Sequence, residues 1–298
     1  MAGTPRVLVS LFDASQEYQK LQGDAARAVA ARFGVEVEVV YGNGDPATQA
    51  GQIEHVLQGP EDQRPAAVIV QPMSVAILEP TARGALRAGV GWVSLDPAIY
   101  LESLQRANPG KLVAVLTADG RAMGSLQARI SGALLPRGGS VVYVEGPPLA
   151  PAVIDRREGM MEGMRGSGIR VTKTLHGDWS EASGARAAEL WLRLGRVLRP
   201  DLIAAQNDAM AAGVRRAIET WKTDWLDVPI TGCDGLPEGG QRMVREGVLA
   251  ATVIQPITAA PAVELVARAL RGESVEPSTR LAPRAFPSVE ELKLRART

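Results

Sequence analysis

The sequence is short of the side chains from which most reactive centres are built. It contains one cysteine, Cys233, and two histidines, His55 and His176. A single cysteine rules out an intrachain disulfide and leaves the redox compartment open. These three residues are too few for a Cys/His zinc site, so no metal is expected. His176 lies near Asp178, the makings of a base and its orienter. A sparse loop histidine, however, is far more often structural or solvated. The G-x-S-x-G elbow, the phosphate-loop lysine and the G-x-G-x-x-G fingerprint are absent, so no cofactor or catalytic residue is expected. Net charge is missing as well. The 33 basic and 33 acidic side chains cancel, giving a pI near 6.8 and no electrostatic pull toward nucleic acid or an anionic membrane. No apolar run approaches the ~20 residues that span a bilayer. No basic-then-apolar leader precedes Val7. The expected location is therefore periplasmic if a leader has been removed, and cytoplasmic otherwise.

What is present is ample core-forming material. The 298 residues are 46% hydrophobic, enough for one large domain or two ordinary ones. Short apolar strands alternate with longer amphipathic segments. Val7 to Leu11 reads as a strand, followed by a helix to Phe33 with Leu21, Ala25, Ala28 and Val29 at helical spacing and Gly34 as its stop. Val35 to Tyr41 is a strand, Ala47 to Leu57 a helix, Ala67 to Val70 a strand, Val75 to Ala88 a helix and Trp92 to Leu95 a strand. The pattern restarts with strands at Leu112–Leu116, Ser140–Val144 and Arg170–Leu175. Helices are expected at Arg121–Leu135, Arg156–Met164 and Ser180–Leu194, the first capped by Asp119. Strands ending at Ala205, Thr231 and Ile254 follow, then a helix from Ala259 to Leu270. This alternation means βαβ units and parallel sheet. Ten strands exceed what one small sheet holds comfortably. The expected fold is α/β, with two doubly wound parallel-sheet lobes.

Three segments share one grammar: a buried strand, a polar residue at its end, then a turn. They are Ala204-Ala205-Gln206-Asn207-Asp208-Ala209, Ile230-Thr231-Gly232-Cys233-Asp234-Gly235 and Ala251-Thr252-Val253-Ile254-Gln255-Pro256. Asp208 suits the N-cap of the next helix. Asn207, Asp234 and Gln255 then stand at carboxyl ends of strands, where open α/β sheets bind ligands. Alone, Asn207 reads as a turn residue, Asp234-Gly235 as a turn dipeptide and Gln255 as a linker to Pro256.

These segments resemble those of the ribose- and galactose-type periplasmic sugar-binding proteins, whose fold is shared by LacI-type regulators. The resemblance covers nearly the whole chain. It implies a ligand cleft between two lobes, 1–117 with 256–282 and 118–255 with 283–298, joined by a multi-crossing hinge with crossings near Thr117–Asp119, Gln255 and Pro283. It also implies sugar contacts from Asn207, Asp234 and Gln255. Trp179 matches a ring that stacks on the sugar, the alternative being a staple on its own helix. Arg156 matches a cleft arginine, though Arg157 could serve, and a surface arginine at a helix start is the bland alternative. Asp96 matches an aspartate that binds hydroxyls, and Pro97 replaces the arginine that often follows it. Phe12, Asp13, Gln16, Glu17 and Tyr18 form the first strand-to-helix turn, which commonly supplies aromatic and polar contacts. Here it departs from the usual pattern, and Glu17 disfavours an anionic ligand.

The function expected from the resemblance is reversible capture of a small carbohydrate or polyol, passed to an ABC transporter permease or a membrane sensor by a monomer. Two alternatives remain: the effector domain of a LacI-like regulator lacking its DNA-binding part, and a sugar-processing enzyme.

Overall fold

The computed structural model describes residues 3–96, 100–194 and 197–295. The chain forms two compact units and passes between them at three points. The first unit comprises Met1–Ala118 with Ile257–Leu281, the second Asp119–Pro256 with Ala282–Thr298.

The first unit opens β1 (Arg6–Leu11), α1 (Glu17–Phe33), β2 (Glu36–Tyr41), α2 (Pro46–Gln58), β3 (Ala67–Val70), α3 (Val75–Arg87), β4 (Gly91–Ser94), α4 (Tyr100–Ala107) and β5 (Val113–Ala118). The second runs α5 (Gly120–Leu134), β6 (Gly139–Glu145), α6 (Pro151–Gly163), β7 (Ile169–His176), α7 (Glu181–Leu192), β8 (Leu202–Ala205), α8 (Asp208–Trp221), β9 (Ile230–Asp234), α9 (Gly240–Arg245) and β10 (Ala251–Ile254). The chain then returns α10 (Ala259–Leu270) and β11 (Ser278–Leu281) to the first unit, and β12 (Arg284–Phe286) and α11 (Val289–Arg295) to the second.

Each unit holds a six-stranded sheet, ordered β11-β5-β4-β3-β1-β2 in the first and β12-β10-β9-β8-β6-β7 in the second. The paired strands run parallel except β12, which is antiparallel to β10. Period-two alternation sends neighbouring side chains to opposite faces, so every central strand feeds two cores. Val7, Val9, Ala67 and Ile69 pack with α1 and α10, while Leu8, Val68, Val70 and Trp92 pack with α2, α3 and α4. In the second unit Val144, Ile203 and Ala205 meet α7 and α8, and Val141, Tyr143 and Ala204 meet α5 and α6. Burying each large side chain contributes about 1.5–3 kcal/mol.

Two helices of the second unit touch backbone to backbone. A Cβ on Gly124 of α5 would overlap the carbonyl oxygen of Arg156 on α6, and one on Gly159 of α6 would overlap that of Arg121 on α5. Only glycine permits this approach.

Several expected elements need correction. The inner face of α1 is not the Leu21–Ala25–Ala28 stripe: Gln19, Gln22, Gly23 and Ala26 are buried, and Ala28 is exposed. Helix α6 begins at Pro151, not Arg156, because proline's fixed φ suits the first helical position; Arg156 sits mid-helix. Helices α4, α9 and α11 and strands β11 and β12 were not anticipated. Asp119 caps α5 as expected, accepting from the Ala122 N–H at 2.9 Å. Pro97 lies outside the described residues.

Candidate functional site

Strands β8, β9 and β10 are neighbours, so their carboxyl ends bring Asn207, Asp234 and Gln255 to one edge of the second unit. The N-cap of α8 is Asn207, not Asp208. Its Oδ1 accepts from the Met210 N–H at 2.9 Å, and its Nδ2 donates to the Trp179 carbonyl at 2.8 Å. Asp208 starts the helix and turns inward. One of its oxygens accepts from the Gly235 N–H at 2.7 Å and the other from the Thr252 hydroxyl at 2.6 Å.

Arg156 knits the cluster together. Its side chain is 7% exposed, and Nη1 stands 3.8 Å from Asp234 Oδ1. Nη2 donates to Gln255 Oε1 at 2.9 Å and Nη1 to the Gln206 carbonyl. Its guanidinium carbon lies 5.6 Å from the centroid of the half-buried Trp179 ring. That ring covers Gly146, where a Cβ would overlap the indole. Trp179 also packs against the core beneath α7 and α8, the contact expected of a staple. Arg157 faces elsewhere, making a bidentate ion pair with the buried Glu145. Of the two arginines, Arg156 is the one among the strand-end groups.

Two carboxyls share this one guanidinium. Burial pushes Asp234 up to about 6, with Arg156 pulling the other way. Asp208 is raised well above the usual carboxylate range, first by burial and then by the charge of Asp234. Burial also pushes the Cys233 thiol up to about 12, leaving it a neutral core residue. The Asp234 side chain is 28% exposed and the more accessible of the ion pair. Its backbone φ is +115°, a conformation unusual for any side chain but glycine. The assembly offers a carboxylate, two amides and an aromatic face, which suits hydroxyl groups on an apolar ring. Among the described residues, no group of three or more His, Cys, Asp and Glu could hold a metal ion.

The first unit places the remaining candidates at the ends of β1 and β4. Asp13 accepts from the Ser15 N–H at 2.8 Å, a bond that lowers its pKa. Gln16 is exposed and precedes α1 without a side-chain cap, while Phe12, Glu17 and Tyr18 are half-buried. The Tyr18 hydroxyl accepts from Gln22 Nε2 at 2.9 Å. Asp96 Oδ2 accepts from Gln71 Nε2 at 3.1 Å, Gln71 Oε1 from Gln19 Nε2 at 3.2 Å, and Gln19 Oε1 from the Phe12 N–H at 3.2 Å. A relay of two buried amides thus ties Asp96 to the β1–α1 turn. Gln16 is not part of it.

Residues 7–274 match the family described as periplasmic binding protein domain. The chain belongs to that family. Among curated relatives, the ribose import binding protein RbsB of Escherichia coli (strain K12) is 26% identical over 263 residues, covering 85% of this chain and 80% of that one. The protein of the same name from Salmonella typhimurium matches to the same extent. Solved structures share the fold. An ABC transporter periplasmic solute binding protein from Actinobacillus succinogenes 130z with bound D-allose has a TM-score of 0.82 at 20% identity, covering 97% of this chain and 99% of that one. A solute binding protein from Bacillus halodurans C-125 with bound myo-inositol has a TM-score of 0.79 at 23% identity, covering 99% of each.

Two supports of this periplasmic binding protein domain were missed by sequence reasoning. One is the glutamine set: Gln19, Gln22 and Gln71 in the first unit, and Gln206 and Gln127 around the Tyr143 hydroxyl in the second. For Gln19 and Gln22 the available signal was a polar amide on the buried face of α1, a face assigned to a different stripe; Gln71 and Gln206 directly follow the strands β3 and β8. The other is Asp208, whose acidic position before a helix pointed to a cap, whereas the carboxyl is buried between strands.

Proposed function

We propose that this chain is a solute-binding protein that reversibly captures a small neutral carbohydrate or polyol, with each unit supplying one set of contacts. The observation that carries the reading is the Arg156–Asp234–Gln255 cluster, flanked by Asn207 and Trp179 at the ends of three adjacent parallel strands. In this reading Asp234, Asn207 and Gln255 hold hydroxyls, Trp179 packs a ring, and Arg156 fixes the acceptors. In the first unit Asp96, Phe12, Asp13, Gln16, Glu17 and Tyr18 are the further contacts of this reading. Arg156 already serves three protein acceptors, which supports a neutral ligand over a phosphorylated one. The family is that of periplasmic binding protein domains and the curated relatives are named ribose import binding proteins, which supports capture for import. In this reading the chain acts as a periplasmic monomer that delivers its ligand unchanged to an ABC transporter permease or membrane sensor.

The test is a thermal-shift screen over pentoses, hexoses, inositols and phosphorylated sugars, using protein that has been unfolded, dialysed and refolded to strip any bound ligand. One-site binding at ~100-fold over Kd adds about 2.7 kcal/mol to stability. A neutral polyol that raises the melting temperature and is recovered intact is the expected outcome. No shift across the neutral panel overturns the reading.

A further inference from the structure

We infer that Asp208 is a positioning residue: it stays beneath the binding surface and holds in one geometry the strand-end groups that contact the ligand. The inference rests on the carbohydrate-binding reading above. Asp208 is 5% exposed and belongs to α8, directly after Asn207. Its carboxyl spans two further segments. Oδ2 takes the Gly235 N–H, adjoining Asp234, and Oδ1 takes the Thr252 hydroxyl of β10, three residues before Gln255. One buried group therefore ties together the chain segments carrying all three candidate contacts.

The surroundings are shaped to admit that carboxyl and nothing larger. A Cβ on Gly232 of β9 would overlap Asp208 Oδ1, and one on Gly240 at the start of α9 would overlap Oδ2. Asp234 and Gly235 take φ of +115° and +58° in succession. An L-residue leaves such a conformation unless neighbouring bonds over-determine it. The Gly235 N–H to Asp208 bond is one such bond, and it holds the peptide that aims the Asp234 carboxylate. The ionisable groups facing Asp208 are Asp234 and Cys233 on β9 and Arg156 on α6. Simple space-filling would be served by an apolar residue; a desolvated carboxyl satisfied from two separate elements fixes orientation instead.

The test uses Asp208→Asn, Thr252→Val and Thr252→Ser in the full chain. In Asp208→Asn, one carboxyl oxygen becomes an NH2 that cannot accept, so either Gly235 loses its partner or the Thr252 hydroxyl must turn and accept from the amide. Affinity for the carbohydrate identified by the screen should fall about 2- to 10-fold, the range expected for one ordinary hydrogen bond lost or reversed. Thr252→Val should cost about tenfold, and Thr252→Ser, which keeps the hydroxyl, should restore affinity. In the ligand-free state, exchange of the Gly235 amide should accelerate in Asp208→Asn relative to the amides of β9. If Asp208→Asn fails to fold, the Thr252 pair decides. Wild-type affinity in Asp208→Asn and Thr252→Val overturns the inference, as does a Thr252→Val loss that serine does not restore. A wild-type chain that binds no carbohydrate or polyol overturns the functional reading alone. The ligand-free Gly235 exchange then still judges the positioning role, and unchanged exchange refutes it.

Discussion

Lowering the pH from 7 to 5 should release the ligand through Asp234. Hydroxyls donate to the ionised carboxylate, so binding selects the deprotonated form. With the Asp234 carboxyl pushed up to about 6, it is about nine-tenths ionised at pH 7 and about one-tenth ionised at pH 5, so affinity should fall about tenfold, or ~1.4 kcal/mol. Binding at pH 6 should also expel about half a proton. Because Asp208 and Asp234 titrate as a pair, Asp234→Asn is the control that assigns the effect: it should weaken binding and flatten the pH dependence. Fold stability moves the other way. Between the ordinary carboxylate value of 3.8 and about 6 the folded state holds more protons at Asp234 than the unfolded chain. This group therefore stabilises the fold as pH falls through that window. The carboxylates lowered by hydrogen bonds, such as Asp13, Asp45 and Asp201, titrate below the same window and withdraw stability only there. Release at pH 5 is thereby distinguished from acid unfolding. Titration calorimetry at pH 5, 6 and 7, in two buffers of different ionisation enthalpy, makes the measurement. Affinity constant across that range, with equal heats in both buffers, refutes the argument.

Three further outcomes are expected. Asp234→Ala should cost a few kcal/mol of binding, since hydrogen bonds to a charged acceptor contribute roughly 1.5–3 kcal/mol each, with little change in ligand-free melting; wild-type affinity by calorimetry removes Asp234 from the contact set. Trp179 fluorescence should change on ligand addition and Trp179→Ala should weaken binding; a strong drop in melting temperature with affinity intact would leave only its packing role. Gly159→Ala should destabilise the second unit by about 1–3 kcal/mol in denaturant unfolding, because the added methyl meets the Arg121 carbonyl across the helix contact. An unchanged midpoint there contradicts the close helix approach.

The architecture was legible because strand and helix periods differ. Val7–Leu11, broken only by Ser10, and Leu202–Ala205 announce buried strands by short apolar runs, and Ala259–Leu270 announces a helix to the residue. The three strand-end residues were legible from their repeated grammar. What escaped had weak local signals. Strands β11 and β12 have four and three residues and flank Pro283, too short for periodicity to register. Helix α6 opens after Ala150 with no side-chain cap. The Asp208 carboxyl was misread because an acid before a helix is ordinarily a cap. Its true partners, Gly235 and Thr252, are distant in sequence and meet it only through the order of the strands.

The crossing of α5 and α6 at Gly124 and Gly159 bears on how such a site changes its preference over generations. Arg156 reaches the strand ends because its own carbonyl rests against Gly124, a contact made by main chain alone. Replacing the arginine would leave that contact untouched, and whatever side chain stood at 156 would start from the same Cα. Drift at 156, 179 or 234 can therefore revise which hydroxyls are matched while the helix pair stays in register. The two glycines, which touch no ligand in this reading, should tolerate substitution less well than the residues that do.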